Sequence, residues 1–210
     1  MKLLVKLTSR ERPQQAAKCL QAMRELAFDL SNIQFLLTLD TDDPHLSKYL
    51  ELDLHNVILD IGYSKNKVDA INRGTPKHGW DILVNVSDDQ IAVMINWDKH
   101  IRDAMTEDLD ASIWFQDGIQ NRINTMEIIG RNYYNRFNWI YNPAYKSFFC
   151  DNESTETAKK LGKLKEFPFV LFLHQHRQSK HKTDSIDAVH VRAAKHWEED
   201  KRTWEQNCQY

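Results

Sequence analysis

Four short apolar segments alternate with helical patterns over the first 90 residues, and this alternation limits the possible folds more than any other feature of the chain. The segments are residues 2–8, 33–40, 56–64 and 81–86. The longest helical pattern between them, residues 13–28, begins at a proline, which suits the first turn of a helix. Strands that alternate with helices indicate βαβ units and a largely parallel sheet. We therefore expect an α/β domain that binds its ligands beyond the carboxyl ends of the strands.

The remaining sequence is less regular, but it continues the same domain. It contains helical patterns, strand-like apolar segments and a long amphipathic segment, at residues 97–105, 111–118, 154–162, 166–176 and 184–206. Apolar residues at helical spacing on one side of the last segment predict a helix that packs on the domain or on a partner. The simplest interpretation is a single domain with a C-terminal helical extension.

Composition and charge exclude several classes of function. The chain has 28 Lys and Arg residues against 30 Asp and Glu residues, so a nucleic-acid binder that works through a basic excess is not expected. Three widely spaced cysteines exclude a disulfide framework and a cysteine-based zinc site, and they fit a reducing compartment. No apolar stretch approaches a membrane span of about 18 residues, and the N-terminal apolar run is too short for a secretory signal. We therefore expect a cytoplasmic protein, with peripheral membrane association left open.

Polar residues follow the first two predicted strands. Thr8 and Arg10 come at the end of the first strand, and Asp40 and Asp42 come at the end of the second. Because the carboxyl ends of parallel strands meet at one edge of a sheet, we expect these side chains to lie together. A carboxylate there can accept hydrogen bonds from the ribose or base of a nucleotide. The alternative for the acidic residues is an ordinary solvated turn.

Two adjacent carboxylates, Asp88 and Asp89, follow the fourth predicted strand. Like charges repel, so a chain that places them side by side at a ligand-binding edge usually has a cation to hold. Mg²⁺ and Mn²⁺ prefer oxygen ligands, and proteins commonly bind them through one or two carboxylates together with substrate phosphates. The alternative is that one aspartate caps a following helix or turn.

Two later segments offer a base and further metal ligands. Asp151 precedes the helical pattern of residues 154–162, where it can act as a general base or simply cap the helix. His174 and His176 end the last predicted strand, and residues two apart on a strand point to the same side. Both histidines, or one of them, can therefore bind a metal.

The segment of residues 133–149 is dense in aromatic residues and also contains Asn and Arg. Most of these rings are expected in the core. The same residue types also build sugar-binding surfaces, in which ring faces pack on C–H groups and amides bind hydroxyls. Both interpretations fit the sequence.

The order and spacing of these segments resemble the family 2 glycosyltransferases, with their nucleotide-diphospho-sugar (GT-A) fold, a Rossmann-like α/β domain. The most specific part, KVDAINRGTPKHGWDILVNVSDDQ, is similar to the family's Lys…Ala-x-Asn-x-Gly…strand…Asp-x-Asp-Asp stretch. The matching residues are Lys67, Ala70, Asn72, Gly74, Asp88 and Asp89. The first acid of the Asp-x-Asp motif falls on Val86, so the metal role rests on the last two aspartates. In CDNESTETAKKLG, Asp151 matches the family's catalytic base, and Cys150 replaces the glutamate that usually precedes it.

This resemblance implies a metal-dependent inverting glycosyltransferase. It would move a sugar from a nucleotide-diphospho-sugar, with a UDP-sugar as the family-level expectation, to a hydroxyl of a glycan or another acceptor. Its cofactor would be Mn²⁺ or Mg²⁺, and its base Asp151. Residues 1–95 would bind the donor, residues 96–180 the acceptor, and residues 181–210 would form the C-terminal helix. The residues expected to contact the nucleotide are Thr8, Arg10, Asp40, Asp42, Lys67, Asn72 and Asp88, and those expected to hold the metal are Asp88, Asp89, His174 and His176.

Two other functions fit the same segments. A nucleotidyltransferase on this fold also uses carboxylates and a metal, but it attacks the α-phosphate. The loop after its first strand is usually rich in glycine, whereas TSRERP at residues 8–13 contains none. A non-catalytic module that binds a sugar or a nucleotide would need the pocket but not Asp151. The sequence leaves the oligomeric state open.

Overall fold

The computed structural model describes residues 1–175 and 188–207. The strands are β1 (Leu3–Thr8), β2 (Ile33–Asp40), β3 (Val57–Gly62), β4 (Ile82–Ser87), β5 (Gln90–Ala92), β6 (Ser112–Gln116), β7 (Ile128–Gly130), β8 (Leu164–Val170) and β9 (Phe172–His174). The helices are α1 (Pro13–Glu25), α2 (Leu46–Leu50), α3 (Lys67–Asn72), α4 (Trp97–Ala104), α5 (Arg131–Tyr134), α6 (Cys150–Lys160), α7 (Ala188–Ala194) and α8 (Trp197–Asn207).

A central sheet of seven strands has the order β3-β2-β1-β4-β7-β6-β8. β1 pairs in parallel with β2 and β4, and β2 pairs in parallel with β3. Among the described strands of this sheet, β7 alone runs against its neighbours, β4 and β6, so β6 and β8 share the direction of β1. The predicted α/β class, with a mostly parallel sheet flanked by helices and with C-terminal helices, is confirmed.

The apolar residues of β1 alternate between two cores, one on each face of the sheet. Leu3, Val5 and Leu7 belong to a cluster that includes residues of α1 and α4. Leu4 belongs to a second cluster, with residues of α3, α5 and α6. A parallel strand that is covered on both faces reads as a nearly continuous apolar run, which explains the composition of residues 2–8.

Lys6 is the polar exception within β1, because its side chain is fully buried. Its Nζ donates hydrogen bonds to the hydroxyl of Thr38, at 2.7 Å, and to the backbone carbonyl of Arg73. Burial lowers the pKa of Lys6 to about 8, although the nearby carboxylate of Asp60 raises it. This lysine therefore ties β1 to β2 and to the residue after α3.

The strand expected over residues 166–176 is two strands in the structure. β8 pairs with β6 in the central sheet, whereas β9 pairs antiparallel with β5, with His174 opposite Gln90. Leu171 is fully buried at the point where the chain changes partner. The shift from β6 to β5 brings the end of β9 beside the turn that carries Asp89. His176 lies outside the described residues.

The single helix expected over residues 184–206 is two helices, α7 and α8, separated by residues 195–196. The ring of Trp197, at the start of α8, lies 5.0 Å from that of Phe148 and 4.9 Å from that of Phe149. Within the described parts of the chain, no helix is both long enough and apolar enough to cross a membrane.

Asp200 of α8 is fully buried and holds the loop that leads into α6. Its carboxylate accepts hydrogen bonds from the backbone N–H groups of Lys146, Ser147 and Phe148, at 2.9, 2.8 and 2.8 Å. A carboxylate that accepts several N–H groups makes strong, charge-assisted bonds. The C-terminal helix is therefore part of the domain that carries Asp151.

Candidate active site

The residues predicted to contact a nucleotide at the ends of β1 and β2 lie together. Arg10 Nη1 donates to Asp40 Oδ2 at 2.9 Å and to Asp42 Oδ1 at 2.6 Å. Thr8, at the end of β1, is paired in register with Thr38 of β2 and Ser87 of β4. The acidic turn is therefore not a simple solvated turn, because its carboxylates are neutralised by an arginine from the neighbouring strand end.

Arg73, which the sequence interpretation did not include, extends this ion-pair network. Its Nη2 lies 3.7 Å from Asp40 Oδ1, and its Nε lies 3.3 Å from Asp60 Oδ2. Several polar atoms of this region, including Arg73 Nη1 and Thr8 Oγ1, are buried without a hydrogen-bond partner in the described chain. Buried polar groups are nearly always hydrogen-bonded, so this edge is suited to a polar ligand.

Asp88 is buried and already bound by protein donors. Its Oδ2 accepts from Ser9 Oγ at 2.5 Å, and its Oδ1 accepts from Arg12 Nη1 at 3.2 Å. Burial and the neighbouring charge of Asp89 raise the pKa of Asp88 to about 6, against the opposing effects of Arg12 and Ser9. Both carboxylate oxygens thus hold the loop after β1, and they do not cap a helix.

Asp89 lies next to a histidine that comes from β9. Its Oδ2 lies 3.3 Å from His174 Nε2, and Nδ1 of the same imidazole lies 3.6 Å from Asp117 Oδ2. Burial alone would lower the pKa of His174, but the hydrogen bonds and charges of Asp117 and Asp89 raise it to about 9. Burial likewise opposes ionisation of Asp89, but His174 and Lys67 together hold the pKa of Asp89 below its usual value.

Asp117 is the functional candidate that sequence reasoning missed. It follows β6 directly, and its carboxylate accepts bonds from the backbone N–H groups of Ile119 and Gln120 and from the hydroxyl of Thr125. The signal was present in the sequence WFQDG, an apolar strand that ends on an aspartate and a glycine. Two of the strand ends predicted to bind ligands in the first half of the chain show the same pattern, an apolar strand followed by an aspartate.

Asp151 lies in the first turn of α6, not before the helix as expected, because α6 begins at Cys150. The N-cap position is occupied by Phe149, which has no capping side chain, so Asp151 is not the helix cap. Its Oδ1 accepts the backbone N–H of Asn152 at 3.0 Å. Burial raises the pKa of Asp151, and the positive charges of Lys67 and His174 partly offset this effect.

Glu127 is a buried acid near Asp151, and it was also missed. It is fully buried, and its carboxylate accepts from Ser154 Oγ at 2.7 Å and from Ser112 Oγ at 3.3 Å. Burial raises the pKa of Glu127 to about 7, and the charge of Asp151 contributes to this rise. Ser154 belongs to α6, so Glu127 fixes that helix against the sheet.

Lys67 and Asn72 lie at opposite ends of α3. Of these two residues, only Lys67 has a side chain that, within the described chain, is free of backbone hydrogen bonds that would hinder contact with a ligand. Lys67 is exposed at the first position of the helix, where its charge acts on Asp89 and Asp151. The amide of Asn72 is engaged with the backbone: Oδ1 accepts from Ile140 N at 2.8 Å, and Nδ2 donates to Tyr141 O at 2.7 Å. In this structure Asn72 positions the loop after α5.

The acidic and imidazole side chains at this edge offer a partial site for a divalent cation. No group of three or more His, Cys, Asp or Glu side chains suited to a metal occurs among the described residues. Asp89 Oδ1 is buried without a hydrogen-bond partner in the described chain, and His174 Nε2 lies beside its other oxygen. One carboxylate and one imidazole, completed by phosphates and water, fit Mn²⁺ or Mg²⁺. Asp88 fits less well, since both of its oxygens are engaged.

Helix α7 covers the loop after β1. Arg12 Nη2 donates to His190 Nδ1 at 3.1 Å, and Arg192 Nη2 lies 2.7 Å from Glu11 Oε1. Basic side chains of α7 therefore join Arg10 and Arg12 at the edge where the predicted nucleotide residues lie.

No protein-family model matches the sequence, and no curated protein sequence does either. Solved structures match its fold. The mannosyltransferase PcManGT from Pyrobaculum calidifontis, in complex with GDP-Man and Mn²⁺, has a TM-score of 0.67 and 12% identity, over 98% of this chain and 64% of its own. S. aureus TarS 1-349 in complex with UDP-GlcNAc has a TM-score of 0.65 and 10% identity, over 89% of this chain and 62% of its own. A cytidylyltransferase from Leptospira borgpetersenii has a TM-score of 0.54 and 10% identity, over 82% of this chain and 80% of its own.

At these identities the likeness is one of fold. The chain has the mostly parallel sheet and flanking helices of GT-A-like glycosyltransferases, and it spans just under two thirds of the length of PcManGT and of TarS 1-349. The resemblance drawn from the sequence is therefore supported for the fold, while membership of family 2 stays a prediction.

Proposed function

We propose that this protein is a metal-dependent inverting glycosyltransferase that uses a nucleotide-diphospho-sugar donor. The observation that carries the proposal is that His174 Nε2 lies 3.3 Å from Asp89 Oδ2, and that the charge of Lys67 acts both on Asp89, in the turn between β4 and β5, and on Asp151 of α6. In this proposal Asp89 would bind the cation, and the half-buried Asp151 would act as the base. Such an arrangement suits a reaction in which a leaving diphosphate is stabilised while a hydroxyl is deprotonated nearby.

The donor would bind along the carboxyl ends of β1, β2 and β4, within residues 1–95. Asp40 and Arg10 would contact the nucleoside, as Asp and Arg can accept from and donate to its ribose and base. Lys67 would contact the diphosphate, because it is exposed and close to Asp89. Asp88 would act indirectly, by holding Ser9 and Arg12 in place. We take a UDP-sugar as the first donor to test.

Asp89 and His174 would hold Mn²⁺ or Mg²⁺ together with the diphosphate, and His174 would release its proton on binding, because a metal binds the neutral imidazole. Bound there, the cation supplies positive charge where the leaving diphosphate becomes more negative. The protein's own part is to fix the two ligands: β4 delivers Asp89, and the pairing of β9 with β5 delivers His174. Asp117 would orient the imidazole from its other nitrogen, as carboxylate partners do for metal-bound histidines.

Asp151 would act as the base. Its carboxylate takes the proton of the acceptor hydroxyl as that oxygen forms a bond to the anomeric carbon. The bond between that carbon and the phosphate oxygen breaks, and the nucleoside diphosphate leaves with the bonding electrons. A single displacement of this kind inverts the anomeric configuration. Burial strengthens Asp151 as a base because it raises the pKa of the carboxyl.

Calorimetry separates the binding roles. We would titrate the protein with UDP, GDP, CDP and ADP, with and without Mn²⁺. Asp89→Asn should abolish the metal-dependent part of binding, whereas Asp103→Asn, an exposed acid on α4, should leave it unchanged. Absence of binding for every nucleotide with the folded protein would refute the proposal.

Turnover of a donor panel tests the base. Asp151→Asn should keep nucleotide affinity and lower kcat by about 10²–10⁴-fold, the usual contribution of a positioned acid or base. A fully active Asp151→Asn variant would exclude this residue as the base.

A nucleotidyltransferase is the second candidate, because the fold also matches a cytidylyltransferase over most of that enzyme's length. That reaction joins a nucleoside triphosphate to a sugar phosphate and releases pyrophosphate, whereas the proposed transfer releases a nucleoside diphosphate. The absence of glycine from residues 8–13 disfavours it. Pyrophosphate release from a triphosphate and a sugar phosphate, without transfer from any nucleotide-sugar, would favour this candidate.

A further inference from the structure

A cavity of about 90 Å³ lies between the loop after α5 and helix α6, outside the donor site described above. It combines aromatic rings with polar side chains, as small-molecule sites do, but such sites usually measure about 300–1,000 Å³, so a sugar bound here would lie partly outside the cavity. The residues that define it here, named the α6 pocket, are Phe137, Trp139, Asn142, Glu153, Ser154 and Thr157.

The aromatic wall of the α6 pocket is a stacked pair. The rings of Phe137 and Trp139 have centroids 5.8 Å apart and an interplanar angle of 28°, and both side chains are half-buried. The indole N–H of the buried Trp80 and that of Trp97 donate to backbone carbonyls at 2.8 Å. In the described chain, Trp139 makes no such bond. Trp114, Trp197 and Trp204 share this property, so what sets Trp139 apart is its place in the wall of the cavity.

The polar wall of the α6 pocket is formed by Glu153 and its partners. Its Oε1 accepts from Asn142 Nδ2 at 3.0 Å and from Asn207 Nδ2 at 3.2 Å. These two amides fix the carboxylate in place, so its other oxygen can accept a bond from a ligand hydroxyl. The negative charge disfavours phosphates and other anions, and no basic side chain lines the cavity. The site therefore favours a neutral ligand with both hydroxyls and C–H faces.

The position of the α6 pocket relates it to the proposed base. Asp151, Ser154 and Thr157 belong to the same helix. An α-helix rises about 1.5 Å per residue, so Thr157, six residues further on, lies about 9 Å along the axis from Asp151. Ser154 also donates to Glu127, the buried acid whose pKa responds to Asp151. A ligand in the pocket would contact the helix that carries Asp151.

We infer that the α6 pocket binds a neutral sugar unit of an oligosaccharide acceptor, with Trp139 and Phe137 stacking on the sugar and Glu153 accepting a hydroxyl. This role as an acceptor subsite rests on the proposed function, but binding to the pocket does not. Because the pocket is displaced along α6 from Asp151, it holds a unit next to the one that reacts. Trisaccharides therefore bind more tightly than the corresponding monosaccharides.

Saturation-transfer NMR and calorimetry, without nucleotide, test the inference. The probes are cellotriose, maltotriose, mannotriose and chitotriose, with their monosaccharides and the anionic trigalacturonate as comparisons. Trp139→Ala should weaken binding of the best trisaccharide at least tenfold, and Glu153→Gln should weaken it less but reduce discrimination against trigalacturonate. Phe28→Ala removes an aromatic side chain that is 64% exposed elsewhere and should change nothing. Circular dichroism melting curves verify that each variant is folded.

The donor titrations on the same samples separate this inference from the proposed function. A neutral trisaccharide that binds and is lost in Trp139→Ala, with UDP or GDP binding retained, supports the acceptor subsite. No binding of any neutral trisaccharide, or equal binding by wild type, Trp139→Ala and Glu153→Gln, overturns it even if nucleotides bind. Trisaccharide binding without any nucleotide binding would keep the sugar site and refute the transferase.

Discussion

Replacing Asp200 should reveal how strongly the C-terminal helix holds the loop that leads to the base. The carboxylate is fully buried and accepts three consecutive backbone N–H groups, from residues 146–148, at 2.8–2.9 Å. Hydrogen bonds to a charged group contribute about 1.5–3 kcal/mol each, so three would sum to about 4.5–9 kcal/mol. Ser147 is buried, whereas the N–H groups of Lys146 and Phe148 lie in partly exposed residues that water can reach in the variant. We therefore expect Asp200→Ala to lower the free energy of unfolding by about 3–5 kcal/mol.

Urea and thermal unfolding measure this loss. For a chain of this size, 1 kcal/mol corresponds to about 2–4 °C in Tm, so Asp200→Ala should lower Tm by about 6–20 °C. The matched control is Glu199→Ala, the preceding residue of the same helix. Its exposed carboxylate pairs with Lys146 Nζ at 2.5 Å, and water screens an exposed ion pair, so its loss should change stability little.

Two results would contradict this reasoning. If Asp200→Ala lies within 1 kcal/mol of Glu199→Ala, by the scale expected for surface pairs, the buried carboxylate does not hold the loop. Asp200→Asn retains the shape but loses the charge and places an amide N–H₂ against backbone donors. It should therefore be clearly less stable than wild type, and an unchanged Asn variant would show that charge is unimportant here.

Three further predictions concern stability and thiol chemistry. Burial lowers the folded-state pKa of Lys6 to about 8, whereas the unfolded-state pKa is 10.5. Below pH 8 the folded protein carries the full cost of a buried positive charge, and this cost disappears as the pH rises to 10.5, above which the lysine is neutral in both states. The stability of wild type relative to Lys6→Met should therefore increase by about 3 kcal/mol over that range. Gly130→Ala should cost about 3 kcal/mol because a Cβ would lie 2.6 Å from a backbone carbonyl carbon. Gly162→Ala, where φ is +65° and space is open, should cost about 1–2 kcal/mol. Burial raises the pKa values of the Cys19 and Cys150 thiols, so neither should react with a thiol reagent until the protein unfolds.

Each of these predictions has a direct check. A difference between wild type and Lys6→Met that is constant from pH 8 to 10.5, the range set by the lysine pKa, would exclude the buried charge as its source. Equal losses for the two glycine variants in urea unfolding would show that the clash at Gly130 is relieved by movement. The native thiol count should be the same for wild type, Cys19→Ser and Cys150→Ser, and a decrease in either variant would show that the thiol is accessible.

The first half of the fold was predictable because its strands are covered on both faces. The continuous apolar runs at residues 2–8, 33–40 and 81–86 have one explanation, a buried parallel sheet, and their helices are marked by Pro13 and Gly74. The second half was less predictable. β7 is only three residues long, which is too short for a detectable periodicity. The partner change between β8 and β9 depends on β5, which is distant in sequence.

The candidate site residues were selected mainly where a charge ends a strand, although Asp117, which ends β6 in the same way, was missed. Asp88, Asp89 and Asp151 were selected from strand and helix ends. The sequence did not show that Asp88 is engaged by Ser9 and Arg12 while Asp89 is not, because these contacts come from another part of the chain. Glu127 gave no signal, because a glutamate in an apolar context is not distinguishable from a surface residue until burial is known. Asn72 was selected as a ligand contact, but its bonds to the α5 loop are visible only in three dimensions.

The pairing of β5 with β9 means that the contact between Asp89 and His174 can form only late in synthesis. Asp89 and His174 are 85 residues apart in the chain. At about 5–20 residues per second, a ribosome delivers the histidine several seconds after the aspartate. During that interval the nascent chain carries the donor-side strands but cannot present the complete ligand pair. Under the proposed function, the pair of metal ligands would therefore be complete only after the ribosome has also added α6, the helix that carries Asp151.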